Sequence, residues 1–403
     1  MRPSSPATQA LSPRAFLAAH GEWLLWGAVV LLALHTWVYK SQEDFRVFHT
    51  AGARFLGGEP LYRDTDGLMP FKYAPVVALL FAPLGLLPER AASLVWLLAS
   101  CAMLWRFLRL SAELFAGRAS PGREALVVLL VLPFVRHHFA VGQCDLALFW
   151  LSAESLRLAP RRPGLSGALL ALVCLVKPPF LLLLGTAVLL FQVRRVAGFA
   201  VGLVLGLGAS ALRYGFAGNL AQLVRWRELL SQSTPDMLCA VDNESAWGMA
   251  CAWVSPPGQP AFLAAVAVGS LLVVGAFAAV LLRLRRERPT EAEALLHGAA
   301  FYLVAFLSPL GWRTALLGLV PLLSVLLQRR PALTPPWLRA LVLAVPLSNA
   351  LAGMLLYDVA GRAAFLFYLG HKVMGALALA TALMAAVALL RTPPVTTACP
   401  GPR

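Results

Sequence analysis

Thirteen apolar stretches follow one another along the chain, at 23–39, 73–87, 91–108, 125–135, 144–157, 164–176, 178–191, 196–212, 260–282, 294–309, 314–327, 337–356 and 365–390. Within them the apolar residues are continuous and do not alternate with polar ones. Strands of a membrane barrel would alternate, so the pattern predicts helices. A helix needs roughly 20 apolar residues to cross a bilayer. Several stretches are shorter, and these read as tilted, broken or re-entrant segments, which membrane proteins tolerate where they line a cavity. The expectation is an all-α polytopic membrane protein with about twelve transmembrane helices. Residues 1–22 read as a cytoplasmic tail, 23–390 as a single transmembrane domain and 391–403 as a second tail. The first stretch reads as a retained span. It is long, edged by aromatics and lacks a small-x-small cleavage site.

Two polar intervals are too long to be plain connectors, 40–72 and 213–258. In the first, Phe45, Phe48, Phe55 and Leu56 fall at helical spacing among Asp44, Arg46, His49 and Arg54. That predicts an amphipathic helix lying on the membrane surface. The second reads as a long loop.

Composition agrees with this picture. The chain is 59% hydrophobic and 13% charged, against about 25% charged in soluble domains. A net charge of +15 would suggest nucleic acid in a soluble protein. Here arginine pairs sit between apolar runs, at Arg161-Arg162, Arg194-Arg195, Arg285-Arg286 and Arg329-Arg330. They read as positive-inside topology and contact with membrane lipid, with no nucleic-acid partner. With those pairs inside, 136–143, Lys177, 213–258 and 308–313 fall outside. The rule then conflicts with itself. Full crossings at both 73–87 and 91–108 would put the basic segment 109–124 outside too, so either one early segment is misassigned or that loop breaks the rule. Cys101, Cys144 and Cys174 lie in apolar runs and read as packing residues. Cys239 and Cys251 share the outer loop and predict a disulfide if that side is oxidising; two unrelated cysteines is the other reading.

The chain has no GxxxxGK[ST] loop, no dinucleotide-binding glycine motif and no zinc-type Cys/His spacing. No metal and no cofactor are expected. Any substrate must come through the membrane or along its surface, which suits lipid-linked molecules. Asp44, just past the first span, is a candidate general base, because partial desolvation raises a carboxyl pKa. It also closes Ser41-Gln-Glu-Asp44, a capping-box spacing, and would then only cap a helix. Lys177 lies between two apolar half-helices, where a cation is costly unless it has a partner. It is a candidate phosphate ligand, or else a snorkelling side chain at a hairpin tip. Arg136, His137 and His138 form a basic trio that could meet the same phosphate. Otherwise they belong to an interfacial loop in which Asp145 caps the next helix. Asn243, Glu244, Trp312 and Arg313 are candidates for contacting a sugar or a hydroxyl-rich acceptor. Asn243-Glu244-Ser245 also reads as a glycosylation acceptor, and Trp312-Arg313 as an interfacial anchor.

These segments resemble glycosyltransferase family 87. The likeness runs in order through DFRVFHTAGARFLGGEPLY at 44–62, FKYAPVVALLFAPLGLLP at 71–88, GQCDLALF at 142–149, GLSGALLALVCLVKPPFLLLL at 164–184, NESAWGM at 243–249 and LSPLGW at 307–312. The resemblance implies a GT-C fold and a polyprenyl-phosphate sugar donor, with the hexose expected to be mannose. It implies a glycan or glycolipid acceptor and an active site on the outer face of a bacterial inner membrane. It also implies that Asp44 is the base, with Lys177 stabilising the departing phosphate. Two positions depart from the family pattern. Asp145 stands where Asn is common, and Arg313-Thr314 follows the turn where His is common. A transporter or flippase of lipid-linked sugars is the alternative function, and an inactive assembly subunit is a third. A transporter should carry its essential acid at the bilayer midplane, whereas Asp44 is predicted at the surface.

Overall fold

The computed structural model describes residues 13–66, 69–117 and 119–394. Of the expected tails at 1–22 and 391–403, the parts 1–12 and 395–403 lie outside them. From position 13 the expected N-terminal tail is already helical, because α1 runs Pro13–Tyr39. In chain order α2 is Glu43–Gly57, α3 Pro75–Gly85, α4 Glu89–Ala116, α5 Pro121–Val141 and α6 Asp145–Leu158. Then come α7 Pro163–Val176, α8 Leu181–Leu189, α9 Val193–Gly208 and α10 Ala211–Met237. The last six are α11 Ala246–Trp253, α12 Pro260–Glu287, α13 Pro289–Leu307, α14 Val320–Arg329, α15 Pro336–Gly370 and α16 Val373–Arg391. The described residues form no named strand.

Seven described helices are long and apolar enough to cross a membrane, and α9 with α10, bent by 90° at their junction, would make an eighth. Three apolar helices, 75–85, 163–176 and 178–189, are shorter. By length and composition the count therefore stands at seven or eight, below the expected twelve.

The bundle has two distinct ends. The four arginine pairs sit at one, and α2 lies across the other. The amphipathic helix forms as its spacing predicts: Phe45, Phe48, Ala51, Gly52 and Phe55 are buried on one face. It ends at Gly58, whose φ of 68° suits glycine. Two close approaches lock it in place. A Cβ on Gly52 would lie 2.5 Å from the Phe81 carbonyl oxygen, and one on Gly85 would lie 2.6 Å from the Ala53 nitrogen.

This packing corrects the sequence reading of 73–87 as a span. Eleven residues rise only about 16 Å, and α3 stays with α2 at the end opposite the arginine pairs. The conflict in the positive-inside rule disappears, because α4 is then the crossing that carries 109–124 to the arginine end. The long polar stretch 213–258 is not a loop either. Most of it is α10, which kinks at Gly215 (φ 68°) and roofs the segment before α3. There Arg213 donates to the Phe55 carbonyl, Tyr214 Oη to the Glu59 carbonyl at 2.9 Å and Trp226 Nε1 to the Lys72 carbonyl at 3.1 Å. Arg54 grips Asp66 with two bonds of 2.7 and 2.6 Å, which ties Asp66 to α2.

Candidate active site

Asp44 sits in the first turn of α2 but caps nothing. The cap position is Gln42, in the left-handed region, and no side chain accepts a cap hydrogen bond there. Ser41 Oγ instead donates to Glu43 Oε1 at 3.0 Å. The capping-box expectation therefore fails, and the Asp44 carboxylate is free for other work. Gln143 Nε2 donates to Asp44 Oδ2 at 2.9 Å, and Tyr73 Oη donates to Gln143 Oε1 at 3.4 Å. Asp44 is half-buried. Burial pushes its carboxyl from the ordinary range up to about 6, while nearby Lys177 pulls the other way. A carboxylate of that pKa is still ionised at neutral pH and is more basic than a solvated one.

Gln143 is placed by the end of α5. Gly142, with φ 69°, closes that helix, and its carbonyl accepts from Trp96 Nε1 at 3.1 Å. A Cβ at Gly142 would meet Phe45 Cβ at 2.6 Å, so α2 and α5 touch backbone to side chain. Gln42 Nε2 adds a bond of 2.8 Å to the Phe139 carbonyl.

Next along the chain, Asp145 is fully buried. It does not cap α6 as expected. Its two oxygens accept from Lys177 Nζ at 2.6 Å and from Thr314 Oγ1 at 2.5 Å. Lys177 stands where α7 breaks before Pro178 and Pro179. The structure thus brings together Asp44, Tyr73, Gln143, Asp145, Lys177 and Thr314 from five separate stretches of sequence. Asp145 and Thr314 were not singled out as site residues from the sequence. The signal available was the pair of departures from the family pattern, which fall at Asp145 and just before Thr314.

Lys177 and Tyr73 also line a cavity of about 940 Å³ that begins here. Its mouth is polar, formed by Lys72, Tyr73, Lys177, Ser308 and Trp312. Beyond the mouth it becomes an apolar groove between α8, α12 and α13. From Leu307 to Leu295 along α13 it extends about 18 Å, at 1.5 Å per residue. Leu181 and Leu189 of its wall are exposed on the protein surface, so the groove is accessible from the side. Asp44 is not in the wall itself; it stands two hydrogen bonds behind Tyr73, through Gln143.

The other expected residues separate into two groups. Arg136, His137 and His138 belong to the last turns of α5, not to a loop. His138 is fully buried with neither ring nitrogen bonded, and none of the three lines the groove. Asn243 is also fully buried, and its amide is spent inside the protein. It donates to the Leu238 and Pro309 carbonyls at 2.8 Å and accepts from Gly311 N at 2.9 Å. Glu244 is 2% exposed and accepts from Gly375 N at 2.9 Å; burial pushes its carboxyl up to about 7. Asn243 and Glu244 were expected to meet an acceptor; here the contacts of both side chains are internal. They clamp the segment before α11 to the 308–313 turn, which in turn places Trp312 at the groove mouth. Arg313 pairs with Asp242 at 3.0 Å and belongs to the same clamp. The Cys239–Cys251 disulfide is present, with Cα atoms 5.5 Å apart, and ties that segment to α11. Among the described residues no group of three or more His, Cys, Asp or Glu is placed to hold a metal ion.

The chain is 28% identical over 338 residues to a polyprenol-phosphate-mannose-dependent alpha-(1-2)-phosphatidylinositol pentamannoside mannosyltransferase of Mycobacterium tuberculosis (strain CDC 1551 / Oshkosh). The match covers 78% of this chain and 75% of that protein. No solved structure matches the chain. The model of glycosyltransferase family 87 matches residues 71–309, more than half of the chain, and the chain belongs to that family.

Proposed function

We propose that this glycosyltransferase takes a hexose, mannose by analogy with its relative, from a polyprenyl-phosphate donor and passes it to a glycan or glycolipid acceptor. The observation that carries the reading is the cavity. It joins a lysine-bearing polar mouth to a long apolar groove open at the side, which suits a lipid phosphate that arrives within the membrane. A water-soluble nucleotide sugar would leave the apolar wall unused.

In this reading the isoprenoid chain lies between α8, α12 and α13, and the phosphate sits at Lys177. Asp44 takes the proton from the acceptor hydroxyl as that oxygen attacks the anomeric carbon. The bond from that carbon to the phosphate oxygen breaks, and polyprenyl phosphate leaves with inversion. Lys177 neutralises the charge that grows on the leaving phosphate, and Asp145 with Thr314 holds the lysine in place. Trp312 at the mouth offers a face for the sugar. The reaction needs no metal, so a chelator should leave the rate unchanged.

The outer face of a bacterial inner membrane suits this chemistry. The arginine pairs favour a cytoplasmic location for the opposite end, and the disulfide on the Asp44 side fits an oxidising compartment. Counting the short apolar helices 163–176 and 178–189 as passes would bring the total up to ten, nearer the about twelve expected of a GT-C fold.

Ala278→Phe tests the reading. Ala278 is a half-buried wall residue of α12, and a ring there would fill the groove without entering the tightly packed core. Transfer from a long-chain polyprenyl-phosphate sugar should show a raised KM. A donor truncated to two isoprene units should be much less affected. Equal effects on both donors, or none on either, would remove the lipid from the groove.

A further inference from the structure

A second cavity, of about 720 Å³, lies at the far end of the bundle from Asp44. It is framed by the ends of α4 and α6 and the starts of α7, α9 and α13. Helix α4 separates the two ends: it begins beside α2, where Arg46 pairs with Glu89, and finishes at Phe115 in the wall of this cavity. Its 28 residues rise about 42 Å, so the cavity is not part of the groove.

One wall carries Arg195. That side chain is 1% exposed, yet no carboxylate pairs with it among the described residues. It donates to Gln192 Oε1 and Ser155 Oγ, both at 3.1 Å, and its Nε has no partner. Other arginines at this end do have acidic partners. Arg106 pairs with Glu154, Arg109 with Glu124 and Arg329 with Glu291. A guanidinium buried with neutral partners only is an uncompensated charge, and such charges are costly until an anion joins them. Arg194, exposed and with no acidic partner among the described residues, lines the same cavity. So does His297, 7% exposed, whose Nδ1 is buried and unbonded. The one acid in the wall is Glu293, 3.7 Å from His297 Nε2, so the arginines outnumber it.

The rest of the wall is apolar and continues onto the outside of the bundle. Phe191 and Val193 line the cavity and are 85% and 74% exposed. A ligand that satisfies both walls has an anionic head for Arg194 and Arg195 and an apolar chain that leaves over Phe191 and Val193. The volume far exceeds what a bare phosphate ion needs. Positive-inside topology faces this end towards the leaflet rich in anionic lipid.

We propose that this cavity binds the phosphate headgroup of an anionic glycerophospholipid, held by Arg195 and Arg194, at a site separate from the donor groove. The assignment rests on the cavity and its arginines and does not depend on the glycosyl-transfer reading. The test uses the full-length protein in detergent, with retained lipid read by native mass spectrometry and stability by thermal unfolding. The probes are phosphatidylglycerol, phosphatidylcholine and inorganic phosphate. Phosphatidylglycerol should be retained and should raise the melting temperature; phosphatidylcholine should do neither. Arg194→Gln should weaken phosphatidylglycerol binding by about tenfold or more, as befits loss of a charged hydrogen-bond donor. Arg195→Lys should do the same while keeping the buried charge, in case Arg195→Gln fails to fold. Arg227→Gln, an equal change of charge on exposed α10 at the opposite end, should have no effect. Equal retention of the two lipids, or wild-type binding by both Arg194→Gln and Arg195→Lys, would overturn the proposal. Inorganic phosphate stabilising as well as phosphatidylglycerol would overturn the lipid assignment in favour of a soluble phosphate ester.

Discussion

Replacing Asp44 by Asn separates chemistry from structure at this site. Asn has nearly the same shape, and its side-chain oxygen can still accept from Gln143 Nε2, now 2.9 Å from Asp44 Oδ2. No helix cap is lost, because Asp44 caps nothing. What is lost is the proton acceptor, so transfer should fall by about 10²–10⁴-fold, the usual worth of a general base. Stability should move the other way. The Asp44 carboxyl is raised from 3.8 to about 6 by burial, so the folded state favours the protonated form. Its contribution to stability is present below the unfolded pKa and is lost as pH rises through about 6. Asn carries no such loss, so above pH 6 the variant should melt at the wild-type temperature or slightly higher. The same pKa shapes the wild-type rate. At pH 5 about one tenth of Asp44 is ionised, so kcat/KM should be about tenfold below its neutral-pH plateau. The assay is transfer of labelled sugar by the purified protein between pH 5 and 8, with melting curves on the same samples. An Asp44→Asn enzyme with wild-type rate, or one that is inactive because it melts early, would refute the reasoning.

Lys177→Ala should abolish donor use and also destabilise the protein by about 3–5 kcal/mol, because it strands the fully buried Asp145 charge. Combining Lys177→Met with Asp145→Asn should restore the melting temperature but not the activity. Reducing the Cys239–Cys251 bond, or replacing both residues by Ser, opens a loop of twelve residues. It should cost about 2–4 kcal/mol, seen as a lower melting temperature. Gly52→Val should separate α2 from α3, since its Cβ meets the Phe81 carbonyl at 2.5 Å. That should lower both stability and transfer; an unchanged protein would contradict the close approach.

The elements set by local pattern were legible in the sequence. The phenylalanines of α2 repeat at helical spacing, and Phe45, Phe48 and Phe55 are all buried, though Leu56 at the same spacing stays exposed. The Lys-Pro-Pro break announced Lys177 because proline cannot continue a helix. The misreadings came from features that only packing decides. Residues 73–87 are as apolar as a span, but Gly52 and Gly85 let them lie against α2 instead of crossing. Helix α10 is polar on most sides and carries no apolar run, so nothing in its pattern distinguishes a surface roof from a loop. The basic trio Arg136-His137-His138 looked like a loop because it is polar, whereas the left-handed glycine that ends α5 comes four residues after His138, at Gly142. Within the site, Asp44 and Lys177 stood out as charges beside apolar runs. The bond from Thr314 to Asp145 spans 169 positions, and no local spacing carries that information. Asn243 and Glu244 looked available because they are polar, and only the fold shows their side chains turned inward.

The most direct test of the central claim is the source of the sugar. Proteoliposomes containing the purified protein and extracted membrane acceptors would be given mannose labelled on polyprenyl phosphate, or in parallel on a nucleotide. Transfer of label from the polyprenyl-phosphate donor alone, yielding a product of inverted anomeric configuration, is the predicted result. Label that moves from the nucleotide sugar, or that crosses the bilayer on its lipid without being transferred, would contradict the account.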